Sequence, residues 1–243
     1  MSLRNYYRIF LFAFLLSVSL LLSAGAPTAS ALQLGARDTA DWIKTLESPE
    51  RIKGQKIDDV IKWLAPKPGM VIADIGAGSG VFSLPMAKLV SPGGKIYAVD
   101  IQQGLLDYVN KHAKEQKITN IHTLLGGNDD PKLPKSDVDM AFISDVLHHI
   151  EHRAQYLKTL AKYIKPKGQI VVIEMDPSDP NTPHKNQPEL LITHQQIDQW
   201  MSDAGFTIAR ENKDMFPGTR LFLVYGRKQP GQPGMAPLDG RRP

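Results

Sequence analysis

The segment VIADIGAGSG, residues 71–80, constrains the fold more than any other stretch of the chain. It is a short apolar run that reaches an acid, Asp74, and continues into glycines at alternate positions, Gly76, Gly78 and Gly80, with a helical pattern directly after them. Glycine has no Cβ, so the backbone can turn sharply there and come close to a ligand. The segment therefore predicts a strand, a ligand-binding turn and a helix in succession.

Strand-like apolar runs alternate with helical patterns over residues 70–176. The predicted strands are 70–74, 95–100, 121–127, 138–144 and 169–176, and the predicted helices are 81–90, 104–116 and 152–164, the last closed by the KPKG segment. Repeated strand–helix–strand units give right-handed crossovers and a parallel sheet covered on both faces. A helix at 193–204, opened by a capping box, then precedes two strands, 206–210 and 220–226. We expect an α/β fold, doubly wound, with a mostly parallel seven-stranded sheet and a C-terminal antiparallel strand pair.

The chain divides into three segments. Residues 1–31 combine Arg4 and Arg8, an apolar core and the small residues ASA at 29–31, which is typical of a secretory signal peptide. An uncleaved membrane anchor and a wrongly assigned start codon remain as alternatives. Residues 38–227, which begin with two helical patterns over 38–64, form the predicted domain, and residues 228–243 a disordered tail. The expected location is exported: periplasmic, or anchored in the inner membrane and facing the periplasm.

Composition excludes several classes of function. The net charge of +4 arises from basic residues in the two terminal segments, and the body between them is close to neutral. No basic stripe with interleaved aromatic residues is present, so a nucleic-acid partner is not expected. The chain has no cysteine, which rules out disulfides, thiolate metal sites and a cysteine nucleophile.

The spacing of the glycines indicates the kind of ligand. The pattern is G-x-G-x-G with Val81 next, whereas a dinucleotide-binding turn reads G-x-G-x-x-G, and no Walker lysine follows. Asp100 ends the second predicted strand, where a carboxylate can accept hydrogen bonds from both hydroxyls of a ribose. Ile101 beside it can pack on an adenine face. These residues indicate a nucleoside more firmly than a phosphate.

Four segments together resemble the class I S-adenosylmethionine-dependent methyltransferases: VIADIGAGSG, IYAVDIQ, LLGGNDDPKLPKSDVDMAFISDVLHHI and YIKPKGQIVVIE. The resemblance covers about residues 55–226 and implies S-adenosylmethionine as cofactor. Its implied contacts are as follows: Gly76, Gly78 and Gly80 for the methionine part, Asp74 for its amino group through water or backbone, Asp100 for the ribose, Asn128 or Asp129 for the adenine amino group, and Ser144 beside the reacting sulfonium.

The titratable groups nearest the expected methyl position are Asp145, His148 and His149, and they are the candidate catalytic residues. In the run HHIEH at 148–152, His148 and His152 would lie one turn apart in a helix, as metal ligands can. No pattern for a third ligand accompanies them, so no metal is expected. The fourth strand is not followed by the Asn/Asp-Pro-Pro-aromatic pattern of amino-group methylases acting on DNA bases or glutamine. A small-molecule acceptor is therefore predicted.

Two other classes of function stay open at this point. A nicotinamide-dependent oxidoreductase would share the fold, although the glycine spacing and the lack of a Tyr-x-x-x-Lys pair at Tyr156 and Leu160 disfavour it. A non-catalytic exported domain that keeps the S-adenosylmethionine fold is the other. Binding of S-adenosylmethionine in place of NAD would distinguish a methyltransferase from the oxidoreductase. Turnover of an acceptor would distinguish it from the non-catalytic domain.

Overall fold

The computed structural model describes residues 37–228. The helices are α1 Thr39–Leu46, α2 Pro49–Gln55, α3 Ile57–Leu64, α4 Ser83–Val90, α5 Gln103–Glu115, α6 Arg153–Ala161 and α7 His194–Asp203. The strands are β1 Val71–Ile75, β2 Lys95–Asp100, β3 Ile121–Leu125, β4 Val138–Ser144, β5 Ile164–Met175, β6 Phe206–Glu211 and β7 Arg220–Arg227. Short 3₁₀ turns lie at Leu147–His149 and Pro188–Leu190.

Within this part of the chain the strands form one seven-stranded sheet in the order β3-β2-β1-β4-β5-β7-β6. The first five strands are parallel, and β7 pairs antiparallel with both β5 and β6. The predicted α/β fold, with its mostly parallel sheet and C-terminal antiparallel pair, is confirmed. The strand order reverses between β1 and β4, and the carboxyl ends of strands at such a switch point form the usual ligand crevice.

Each face of the sheet buries its own apolar cluster. Side chains alternate across a strand, so Ile72 and Met140 belong to one cluster while Ala73 and Ala141 belong to the other. All five residues of β1 are buried, as expected of a central strand covered by helices on both sides. This rigid centre holds the turn that follows β1 in place.

The boundary between α6 and β5 differs from the prediction. The sequence places the helix over 152–164 and starts the strand at 169, whereas the helix ends at Ala161 and the strand starts at Ile164. The KPKG segment is therefore part of the strand and not a helix stop. An irregularity in the β4–β5 register between Val138 and Met140 accommodates it, and a Cβ on Gly168 would lie 2.9 Å from the Val138 carbonyl oxygen.

The strand β3 is also shorter than predicted, because it ends at Leu125 and the two following glycines leave the sheet. The predicted helical region 38–64 contains three helices where two were expected. Ser48 accepts a hydrogen bond from the Arg51 amide and Pro49 opens α2, which starts a second helix soon after α1. Lys56 in the left-handed region then separates α2 from α3. The capping box predicted at Thr193 and Gln196 is confirmed.

Two predictions fall outside the described residues: the signal peptide or anchor at 1–31, and the tail at 228–243 apart from Lys228. Among the helices of residues 37–228, none has the length and apolar character needed to cross a membrane.

Candidate functional site

The turn after β1 takes the conformation that its glycines predict. Gly76, Gly78 and Gly80 have φ angles of +70°, +56° and +82°, all in the region that favours glycine. The turn is tied to the end of β2, because the Gly76 and Ala77 amides donate hydrogen bonds to the Val99 carbonyl at 2.8 and 2.9 Å. The backbone is thus held open toward the crevice at the switch point.

Two side chains pack directly against this turn. A Cβ on Gly76 would lie 2.4 Å from Val146 Cγ2, and a Cβ on Gly78 would lie 3.0 Å from Leu46 Cδ1. Val146 follows β4, and Leu46 ends α1. The site is therefore bounded by the glycine turn, by the segment after β4 and by the first helix.

Asp100 lies beside the turn, as predicted. Its Oδ2 accepts a hydrogen bond from the Gly78 amide at 2.9 Å, and its Oδ1 accepts one from the Gln102 amide at 3.0 Å. Burial raises the pKa of the Asp100 carboxyl, although these two hydrogen bonds oppose the rise. A carboxylate oxygen can accept more than one hydrogen bond, so both remain able to bind ribose hydroxyls.

The adenine end of the predicted site is an exposed apolar surface. Ile101 is 45 % exposed directly after β2, and Leu125 is 49 % exposed at the end of the neighbouring β3. Large apolar side chains left exposed at adjacent strand ends suit the flat face of a base. Ile101 was predicted from the sequence; Leu125 was not, because nothing in the sequence shows that β3 ends there.

Asp74 has a partner within the protein. Its carboxylate accepts a hydrogen bond from Ser83 Oγ at 2.5 Å, and the residue is only 4 % exposed. Burial is the main cause that raises the pKa of Asp74 to about 7. The carboxyl therefore fastens the start of α4 to β1, and its predicted contact with the cofactor's amino group stays a prediction.

Three oxygen atoms near the turn are buried without a hydrogen-bond partner in residues 37–228: Ser79 Oγ, Ser144 Oγ and Asp145 Oδ1. Ser79 lies in the turn, and the other two end and follow β4. Buried polar groups in native proteins are nearly always satisfied by protein, water or a ligand, so these three oxygens are candidate ligand contacts. The set provides two hydroxyls and one carboxylate oxygen, and it fits a cofactor that carries hydroxyl, amino and carboxylate groups.

The other oxygen of Asp145 is engaged by residues that the sequence did not point to. Asp145 Oδ2 lies 3.4 Å from Arg51 Nη2, 3.1 Å from Arg220 Nη2 and 3.1 Å from Gln55 Nε2. Asp145 itself has a φ of +52°, uncommon for a residue with a side chain. The predicted catalytic Asp145 is thus fixed by two guanidiniums and an amide, with its Oδ1 left over.

His148 is fixed by a second carboxylate that sequence reasoning missed. Its Nδ1 lies 2.8 Å from Glu174 Oε1, and its backbone amide donates to Glu174 Oε2 at 3.2 Å. Both side chains are almost fully buried. The signal for Glu174 was present, since an acid inside the apolar run VVIEM needs a partner.

The His149 ring packs against His148 with the ring centroids 4.0 Å apart and the planes tilted by 49°, and it meets the ring of His184 edge-on at 6.2 Å. Its pKa is lowered to about 3, first by burial and then by electrostatic interactions with His148, His184, Arg51 and Arg153. His149 is therefore neutral at physiological pH and a weak base.

The predicted adenine partners Asn128 and Asp129 are both exposed. Asp129 Oδ1 lies 2.9 Å from His152 Nδ1, and this hydrogen bond raises the pKa of His152. Their contact with adenine stays a prediction. Among the described residues no group of three or more His, Cys, Asp or Glu side chains is arranged to hold a metal ion.

Comparisons with known proteins place this site in context. The family described as a methyltransferase domain matches residues 66–210. A demethylmenaquinone methyltransferase of Geobacillus sp. (strain WCH70) is 23 % identical over 117 residues, which are 48 % of this chain and 50 % of the relative. The chain therefore spans about half the length of this curated relative.

Two solved structures share the fold. A S-adenosylmethionine-dependent methyltransferase from Aquifex aeolicus superposes with a TM-score of 0.69 at 22 % identity, over 79 % of this chain and 100 % of that one. Magnesium protoporphyrin IX methyltransferase from Synechocystis PCC 6803, with bound S-adenosylmethionine, gives 0.64 at 19 % identity, over 85 % of this chain and 100 % of that one.

Proposed function

Because the chain belongs to the methyltransferase-domain family, we propose that it transfers a methyl group from S-adenosylmethionine to a small-molecule acceptor. The cofactor expected from the sequence is S-adenosylmethionine, and two structural neighbours support it: one is described as dependent on this cofactor and the other holds it bound. The names of the relatives support a small acceptor, since one acts on demethylmenaquinone and another on magnesium protoporphyrin IX.

The observation that carries the proposal is the set of unpaired buried oxygens of Ser79, Ser144 and Asp145 around the glycine turn. Ser79 belongs to the turn whose Gly78 amide binds Asp100, and Ser144 and Asp145 end and follow β4, where the strand order reverses. The glycine turn, Asp100 and Ser144 would hold the cofactor, which supplies a methyl group on a positively charged sulfur. The leftover oxygen of Asp145 would orient a donor group of the cofactor or of the acceptor.

The protein's own contribution is positioning more than proton transfer. Asp145 is shared by Arg51 and Arg220, and the pKa of His149, near 3, makes it a poor base at neutral pH. His148 is held against Glu174. Asp145 and His149 therefore position the acceptor more than they deprotonate it.

A turnover assay tests the proposal. The full chain is incubated with S-adenosylmethionine and a panel of small acids, phenols, quinols and amines, and release of S-adenosylhomocysteine is followed. We expect acceptor-dependent release, and a much lower rate for Ser144→Ala if its hydroxyl contacts the cofactor. Binding of S-adenosylhomocysteine without turnover on any acceptor would instead favour the non-catalytic binding domain, and binding of NAD in its place would favour the oxidoreductase.

A further inference from the structure

Three guanidiniums and two buried carboxylates lie around the segment after β4. Arg51 of α2 and Arg220 of β7 share the single carboxylate of Asp145. Arg153 of α6 donates hydrogen bonds to the carbonyls of Leu147, His148 and Glu189, and it has no ion-pair partner within residues 37–228. The second buried carboxylate here, Glu174 of β5, is already paired with His148. Three guanidiniums thus meet two carboxylates that are both engaged.

One of these cations has donors to spare. The Arg51 side chain is 32 % exposed, and only its Nη2 makes a hydrogen bond, at the long distance of 3.4 Å to Asp145. Its Nε and Nη1 have no partner in the described part of the chain. An arginine with a free edge binds a carboxylate or another oxygen anion through two parallel hydrogen bonds.

The three histidine rings near Arg51 add no negative charge to the site. His149 lies against His148 and His184, and the charges of Arg51 and Arg153 both act on it. The other acids nearby, Glu151 and Glu189, are exposed to solvent, and Glu189 meets Arg153 through its carbonyl. A cationic acceptor would be repelled at this place, whereas an anion would offset the excess charge.

We propose that the methyl acceptor is an oxygen acid that binds as its anion, a carboxylate or an ionised phenol or enol, with its charged oxygen at the free edge of Arg51. The proposal rests on the proposed function. In the transfer, a lone pair of the acceptor oxygen forms the new O–C bond while the C–S bond breaks with its electron pair going to sulfur. The anion and the sulfonium both become neutral, so no proton has to be removed.

An anionic acceptor agrees with the weak basicity of His149, whose pKa is lowered to about 3. Neutral alcohols and protonated amines must lose a proton before or during methylation, and a general base must take it. An acceptor that enters as an anion has none to lose. The arginines assist by stabilising that anion, and His149 stays neutral beside it.

The test uses matched probes on the full chain saturated with S-adenosylhomocysteine. One set is 2-naphthoate, 2-naphthamide and 2-naphthylmethylamine; the other is 4-nitrophenol, ionised near neutral pH, and 4-nitroanisole. Dissociation constants are measured by ligand-observed NMR. We expect the anion of at least one set to bind at least tenfold more tightly than the neutral or cationic compounds of the same set. Preference in the naphthoate set indicates a carboxylate acceptor, and preference in the nitrophenol set indicates a phenolate.

The variants assign that preference to Arg51. Arg51→Gln should abolish it, and Arg51→Lys should keep part of it because the charge is retained. Arg210→Gln should leave the anion preference unchanged. Arg210 lies on the edge strand β6, and its guanidinium lies over the Trp63 ring, 4.4 Å from the ring centroid. Binding of S-adenosylhomocysteine is titrated first: failure of that step contradicts the proposed function.

Three results with the cofactor product bound would overturn the inference. They are equal or tighter binding of the amide or the amine, no binding of either anion at millimolar concentration, and an unchanged anion preference in Arg51→Gln. Loss of S-adenosylhomocysteine binding in Arg51→Gln would overturn it too, because Arg51 would then hold the cofactor's own carboxylate.

Discussion

Asp74 and Asp100 lie at or near the ends of neighbouring strands, but their carboxylates have different hydrogen-bond partners. Asp100 lies at the turn with both oxygens bound to backbone amides and still open to hydroxyl donors. Asp74 lies underneath and is committed to Ser83. The sequence places Asp100 correctly at the end of β2 and Asp74 one residue before the end of β1, but it does not show that Asp74 binds Ser83 while Asp100 binds the turn.

The buried Asp74 should make stability depend on pH. The pKa of Asp74 is about 7 in the folded protein and 3.8 for an unperturbed aspartate. As the pH rises, the unfolded chain therefore loses this proton at a lower pH than the folded protein does. The unfolding free energy should therefore fall between about pH 4 and pH 7 and stay lower above that. Asp74→Asn removes this dependence, and its stability relative to wild type should improve by roughly 4 kcal/mol over that range. Urea unfolding at several pH values measures the difference; a difference that does not vary with pH would contradict the burial argument.

Gly78 should be needed for the ligand more than for the fold. Gly78→Val places a branched side chain at φ +56° and against Leu46, so S-adenosylhomocysteine should bind at least tenfold more weakly. The backbone strain alone costs roughly 1–2 kcal/mol of stability. Gly205→Val is the matched control, because its φ is +86° and no atom lies within 4 Å of the added Cβ. Calorimetry and thermal unfolding should show a stability loss in both variants and a binding loss in Gly78→Val alone; normal binding by Gly78→Val would refute the close approach.

At the scale of elements, local sequence patterns located the strands and helices. They missed the features that depend on contacts between residues far apart in the chain. The KPKG segment reads as a helix stop, but it lies within β5 as a bulge between the pairs Val138–Ile164 and Met140–Gln169, so the strand continues past it without pairing it to β4. Arg51 and Arg220 could not be recognised as site residues, since Arg51 and Asp145 are 94 positions apart and no local pattern records such a contact. The glycine turn, Asp100, Ser144 and Asp145 follow strands directly, and parallel pairing brings strand ends together whatever the helices do.

The helix α7 gives a prediction in which stability and binding separate. Thr193 accepts a hydrogen bond from the Gln196 amide at 3.2 Å, and Gln196 Oε1 accepts one from the Thr193 amide at 2.9 Å. Thr193→Ala should lower the unfolding free energy by about 1 kcal/mol. Its affinity for S-adenosylhomocysteine should equal that of wild type, and a weaker affinity would mean that α7 controls the site.

For the whole molecule, the switch point between β1 and β4 explains why the ligand groups gather at one edge of the sheet. The glycine turn follows β1, Asp100 ends β2, Ser144 ends β4, and α1 packs over the turn through Leu46. The sheet supplies a rigid base, and the three arginines of the proposed acceptor side come from α2, α6 and β7.

We also propose that the domain is exported, on the grounds of Arg4, Arg8, the apolar core and the ASA site in residues 1–31. Alkaline phosphatase fused after residue 50 should then be active, and green fluorescent protein exported unfolded from the same junction should be dark. A bright and soluble cytosolic fusion would contradict export. It would also remove a difficulty of supply, because S-adenosylmethionine is made in the cytosol.

The central claim is that the glycine turn and Asp100 bind S-adenosylmethionine at the switch point. Titration calorimetry of S-adenosylhomocysteine into wild type and Asp100→Asn tests it most directly, with NAD as the competing ligand. A hydrogen bond to a charged group contributes about 1.5–3 kcal/mol, so Asp100→Asn should bind roughly ten- to a hundredfold more weakly while keeping its circular dichroism. Equal affinity in the two proteins, or binding of NAD by wild type in place of S-adenosylhomocysteine, would contradict the account.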